Sequence, residues 1–197
     1  MPYFSMQFSH TKIKTVLLDI FDIIAFFVFV WGIVLSIRFF VANPYTVVGS
    51  SMSPTFEQND FIIVDKITPR LDNRERWDII VFVPPGKTIP YIKRIIWFPG
   101  ETVKIQEWIV SVCDESDVCE VVDEYYLPEW LQTRARCWLD TFPVQWWLFV
   151  LWDNRWYSTD SSCCFGLGCY EWANYVVPAD HVIGKVYVRI FPGFNFF

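Results

Sequence analysis

The chain has 197 residues, 22 of them acidic and 16 basic, giving a net charge of −6. That length fits one domain plus a membrane segment. With its basic residues outnumbered and unclustered, the chain is excluded as a nucleic-acid binder, so no such partner is expected.

Residues 1–15 are mixed in character, with His10, Lys12 and Lys14 and no acid. From Val16 to Val41 only Asp19, Asp22, Ser36 and Arg38 interrupt an apolar run. At ~1.5 Å per residue such a run spans the ~30 Å of a bilayer core. No clean small-x-small site follows it, which favours a permanent anchor over residues 16–42 rather than a cleaved leader. Lys12 and Lys14 predict a cytoplasmic tail at residues 1–15 and an extracytoplasmic domain over 43–197.

Directly after the anchor comes VVGSSMSPTF, residues 47–56. Gly49 permits backbone that other residues resist. Pro54 fixes its own φ and biases Ser53 away from helix. A turn presenting Ser50 and Ser51 is the expectation. A serine beside Gly and Pro is, by itself, most often just a loop.

The pattern then turns to β. FIIVDKI (61–67), DIIVFV (78–83), PYIKRIIW (90–97), TVKIQ (102–106), IVSV (109–112), WLFVL (147–151) and VIGKVYVRI (182–190) read as strands. Residues 113–145 read as an acidic, irregular insertion. With no βαβ alternation, the fold class is mostly β: one transmembrane helix followed by a mainly antiparallel domain. All six cysteines lie beyond the apolar run. Cys113 and Cys119 flank an acidic loop and are expected to pair. A structural zinc site at Cys163, Cys164 and Cys169 is a weak alternative without a nearby C-x-x-C pair.

Inside YIKRII, period 2 puts Tyr91, Lys93 and Ile95 on one face, and Ile92, Arg94 and Ile96 on the other. A lysine in apolar surroundings loses solvation, which lowers its pKa and suits it to act as a base. The bland reading is that Lys93 and Arg94 snorkel at an edge.

Taken together, GSSMSPT, WDIIVF, YIKRIIWFPGE, WDNRWYSTDSS and VPADHVIGKVYVRIFP, in this order beyond an anchor, resemble the motif blocks of the type I signal peptidases. These are membrane-anchored Ser–Lys endopeptidases. The resemblance implies a β-domain of the signal peptidase type in a bacterial cytoplasmic membrane. It also implies exported preproteins as substrates and the bilayer as partner, with neither cofactor nor metal. Ser51 falls at the nucleophile, Lys93 at the general base and Ser158 at the residue that holds the lysine amine. Asp160 and Arg155 fall at supporting positions thought to form ion pairs. Val48, Gly49, Ser50, Met52, Phe82 and Tyr91 fall where substrate is bound. The Ser51 backbone N–H would serve the oxyanion hole. Neither histidine suits a Ser-His-Asp triad: His10 precedes the anchor and His181 lies in the VPADH loop. An inactive, membrane-tethered binding module of the same fold is the competing class, although such a homologue would usually lack Ser51 or Lys93. A self-cleaving repressor-type Ser–Lys enzyme would share the chemistry without needing the anchor.

The match departs from the family at three places. Gly49 stands where some members carry a serine that completes the oxyanion hole, and Ser162 stands where a basic residue is expected. Trp77, Trp97 and Trp152 stand where the family has glycine. The chain has 11 tryptophans against 8 glycines, an inversion of ordinary usage. Glu107-Trp108 also occupies a hairpin turn that wants glycine second. Reading UGA codons as glycine, rendered here as tryptophan, restores these motifs.

Overall fold

The apolar run folds as α1 (His10–Ser36), a helix of 27 residues that continues as a π-turn over Ile37–Val41. The structure, a computed structural model, describes residues 10–71, 73–133, 140–144, 147–156, 159–166 and 175–197, the first three by backbone alone. Within Ile13–Val41 the most apolar stretch of 18 residues has a mean hydropathy of 2.6, and none of it is buried. The segment is long and apolar enough to cross a membrane. The helix already includes His10, six residues before the apolar run that begins at Val16.

Contacts divide the chain into two units, residues 1–41 and 42–197. The second unit is all antiparallel. Its first sheet is built from β1 (Ala42–Thr46), β2 (Phe61–Asp65), β3 (Ile79–Phe82), β4 (Tyr91–Trp97), β9 (Phe149–Leu151), β10 (Val182–Phe191) and β11 (Asn195–Phe196). These run in the order β1-β2-β10-β3-β4-β9, with β11 on β10. The second sheet, β7-β6-β5-β8, holds β5 (Glu101–Gln106), β6 (Ile109–Cys113), β7 (Cys119–Val121) and β8 (Thr141–Val144).

The strands expected from Ile/Val-rich runs form, most of them trimmed at the ends. Four others form that the pattern did not predict: β1, β7, β8 and β11. β1 and β8 contain Pro44 and Pro143, and both strands lie at sheet edges, where a missing N–H is tolerated. The stretch 113–145 is therefore less irregular than expected, since β7 and β8 both lie within it and β8 pairs with β5.

Apolar alternation places three buried clusters. Met52, Phe56, Ile62, Val64, Ile79, Val81 and Val186 fill one. Ile80, Phe82, Ile95, Val150 and Phe165 fill the second. Ile96, Trp97, Val103, Phe142, Phe149 and Leu151 fill the third. The two sides of β4 feed different clusters, so both its faces are buried from Lys93 onward. Where β10 crosses β2, a Cβ on Gly184 would lie 2.4 Å from the Asp65 carbonyl oxygen. Only glycine fits there.

Cys113 and Cys119 face each other across β6 and β7 and are joined as a disulfide. Cys163 and Cys164 are also disulfide-bonded, so neither offers zinc a thiolate; Cys169 lies outside the described residues. Glu107 and Trp108 take φ of 48° and 71°, and Trp77 takes 80°, the left-handed region that glycine favours. Trp97, in contrast, is extended in β4 and fully buried.

Candidate active site

The turn carrying Ser51 is pinned at both ends. Before it, the Val47 N–H donates to the Asp60 carbonyl at 2.8 Å, and Gly49, at φ 92°, donates its N–H to the Gln58 side chain. After it, the Phe56 N–H donates to the Met52 carbonyl at 2.8 Å. Met52 and Phe56 are both 0% exposed. Two apolar anchors thus hold the turn down, and Ser51, just before the first of them, is half-buried.

Lys93 reaches the same place from β4. Its residue is 1% exposed, and burial holds its amine well below the ordinary lysine range, with the carboxylates of Asp160 and Asp153 pulling weakly the other way. The amine donates to the Ile92 carbonyl at 2.7 Å. It lies 4.2 Å from the Trp152 ring centre and 4.9 Å from that of Tyr91. Ser51 and Lys93 line one cavity of about 710 Å³. Val48, Gly49, Ser50, Tyr91, Trp152 and Thr159 share its wall.

Behind the cavity is a buried polar layer that sequence reasoning missed. Arg94 grips Asp153 with Nε and Nη2, at 2.9 and 2.6 Å. Thr55, from the serine turn, donates its hydroxyl to the same carboxylate. The Asn154 N–H donates to the Ser51 carbonyl at 2.9 Å, and its side-chain amide to the Ser50 carbonyl at 3.0 Å. The one signal available in advance was the charge and amide density of WDNR beside the KR pair.

The supporting residues are arranged differently from expectation. Asp160 accepts from the Trp152 N–H, the Ser162 N–H and the Ser162 hydroxyl, the last at 2.6 Å. Ser162 thus gives Asp160 a neutral donor where a basic partner was expected. Arg155 is ion-paired with Glu124 at 2.7 Å and also donates to Tyr126 and Thr133. Its buried charge is met from the stretch 113–145, which the sequence reading had treated as irregular. Met52 and Phe82 are 0% exposed core residues and do not line the cavity. Ser158 lies outside the described residues. His181 bonds the Val83 carbonyl through Nδ1.

Comparison with known proteins shows the family to which the chain belongs. The family described as signal peptidase, peptidase S26, matches residues 20–191. The chain belongs to that family. It is 33% identical over 168 residues to the probable signal peptidase I-1 of Synechocystis sp., covering 80% of this chain and 76% of that one. It is 33% identical to the signal peptidase I of Leptolyngbya laminosa (80% and 73% covered) and 32% to that of Bacillus caldolyticus (81% and 85%). A crystal structure of a signal peptidase I from Enterococcus faecalis is 26% identical and superposes with a TM-score of 0.37, covering 57% of this chain and 95% of that one. That superposition is too loose for the two sites to be compared.

Within the signal peptidase family, membership implies a peptidase. What this chain contributes is a serine on a hydrogen-bonded turn and a desolvated amine that line one cavity.

Proposed function

We propose that the chain is a membrane-anchored signal peptidase I that removes signal peptides from exported preproteins, with Ser51 as nucleophile and Lys93 as general base. The observation that carries this reading is the Lys93 amine: fully buried, lowered in pKa, and in the same cavity as Ser51.

The chemistry follows from a neutral amine at ordinary pH. Lys93 takes the Ser51 hydroxyl proton as Oγ bonds to the scissile carbonyl carbon. The oxyanion that forms is stabilised by the Ser51 N–H. Collapse breaks the C–N bond, and the Lys93 ammonium returns its proton to the departing amine. Water, with Lys93 again as base, then splits the acyl ester. The preprotein lies extended along Thr46, Val47 and Val48, which line the cavity, and adds to the exposed side of β1. Small side chains before the cleavage site enter shallow pockets. By its place in the family motif, Ser158 would be the residue that holds the lysine amine. The anchor enters from the cytoplasm, so residues 43–197 act outside.

The test is cleavage of a preprotein by the full chain in phospholipid vesicles. Ser51→Ala and Lys93→Ala should each abolish cleavage without loss from the membrane. The double variant should be little worse than either single, because residues acting as a unit are not additive. Most of the activity surviving in either single variant would overturn the assignment.

A further inference from the structure

Asn154 is half-buried and immediately follows the Asp153–Arg94 pair. It spends both its backbone donor and its side-chain donor on consecutive carbonyls of the serine turn, those of Ser51 and Ser50. These carbonyls flank the Ser51 Cα on either side.

A trans peptide unit is planar, with its C=O and N–H pointing in opposite directions. The Ser50 carbonyl and the Ser51 N–H belong to one such unit. Fixing the carbonyl toward Asn154 therefore fixes the N–H away from it. The Ser51 N–H is the backbone donor assigned above to the oxyanion. At Gly49 there is no hydroxyl to supply a second donor, which makes the direction of this one matter more.

The turn has other constraints, and one of them shares the Ser50 carbonyl with Asn154. The Ser53 N–H also reaches the Ser50 carbonyl, at 3.2 Å, and closes the turn locally. Met52 and Phe56 anchor its far side in the core. Among the described residues, Asn154 is the one that ties both flanking carbonyls to the strand that carries the base, since Asp153 beside it is clamped to Arg94, the neighbour of Lys93.

We propose that Asn154 is a positioning residue that aims the Ser51 N–H at the oxyanion by holding the carbonyls on both sides of the nucleophile. This rests on the assignment of Ser51 as nucleophile and goes one step further, to what orients its backbone.

The experiment compares Asn154→Ala and the size-matched Asn154→Leu with the unaltered full chain and with Ser51→Ala, in vesicles, on a signal-peptide-bearing preprotein. Both Asn154 variants keep the backbone bond to the Ser51 carbonyl and lose the one to Ser50. The expected result is a fall in kcat on the order of 10- to 100-fold, as small misplacements of catalytic groups produce. KM and the pH midpoint of kcat/KM should stay in place, since Lys93 remains buried. An unchanged kcat in either variant while Ser51→Ala is inactive would overturn the role of Asn154 and leave the nucleophile standing. A fall in kcat accompanied by a pH midpoint moving up toward that of free lysine would also overturn it, because that is loosened packing around the base. Activity in Ser51→Ala would overturn both.

Discussion

Arg94 and Asp153 form a bidentate ion pair with side chains 7% and 0% exposed, Nη2 to Oδ2 at 2.6 Å. The pair joins β4, which bears Lys93, to the segment that ends in Asn154. The Arg94 guanidinium also covers the face of Tyr126 at 4.0 Å and donates to the Trp77 carbonyl at 2.9 Å.

Removing one member of a buried pair leaves the other uncompensated, which costs about 3–5 kcal/mol. Asp153→Ala should therefore lower the unfolding free energy by roughly that amount. Arg94→Met combined with Asp153→Leu should recover much of it, because an apolar pair needs no counter-charge. Denaturant unfolding of the full chain in detergent micelles measures both. A double variant as unstable as Asp153→Ala would show that the pair is not the source of the loss.

The tryptophans divide by backbone. Trp108 is half-exposed at φ 71° in the turn between β5 and β6, where a side chain costs of order 1–3 kcal/mol in strain. Trp108→Gly should raise the melting temperature. Trp97→Gly should lower it sharply, with a loss of about 3–5 kcal/mol in stability, because Trp97 is 0% exposed and packs edge-on against Phe149. The backbone therefore favours glycine at positions 77 and 108, whereas at position 97 its conformation suits any residue. Peptide mass mapping of the protein from its own source is expected to find glycine at positions 77 and 108, and indoles there would end that reading.

Burying an amine of lowered pKa has a stability signature with a definite sign. Between the folded pKa of Lys93 and the ~10.4 of an unfolded lysine, the unfolded chain binds the extra proton, so stability rises with pH through that window. Below the window the native state must hold a buried ammonium. Lys93→Met should therefore melt higher than the unaltered chain at pH 7, and the gap should narrow as pH approaches ~10. A gap independent of pH would mean that Lys93 carries no lowered pKa.

How much of this was legible beforehand follows from the kind of signal each part gave. β2, β3, β4 and β10 are Ile/Val-rich, and their pattern alone marked them. β1 and β8 carry prolines, and edge position, a tertiary fact, is what makes proline acceptable in a strand. Ser51 and Lys93 were marked by their motifs, whereas the YIKRII pattern alone fitted a lysine snorkelling at an edge as readily as a desolvated one. The partners of Asp160 and Arg155 were not foretold. Ser162 satisfies Asp160 by a local bond that looks in sequence like a lost charge. Glu124 meets Arg155 from thirty-one residues upstream, and no spacing rule links such positions. Met52 and Phe82 fell near the substrate by motif, yet apolar side chains beside a site are as readily its foundations as its walls.

The most direct test of the account is the pH profile of kcat/KM for preprotein cleavage by the full chain in vesicles. If a desolvated Lys93 is the base, the rate rises with pH as the amine loses its proton, with a midpoint below the ~10.4 of free lysine, and Lys93→Ala removes the activity at every pH. A rise centred on the free-lysine value, or a histidine-like profile that persists in Lys93→Ala, would contradict it.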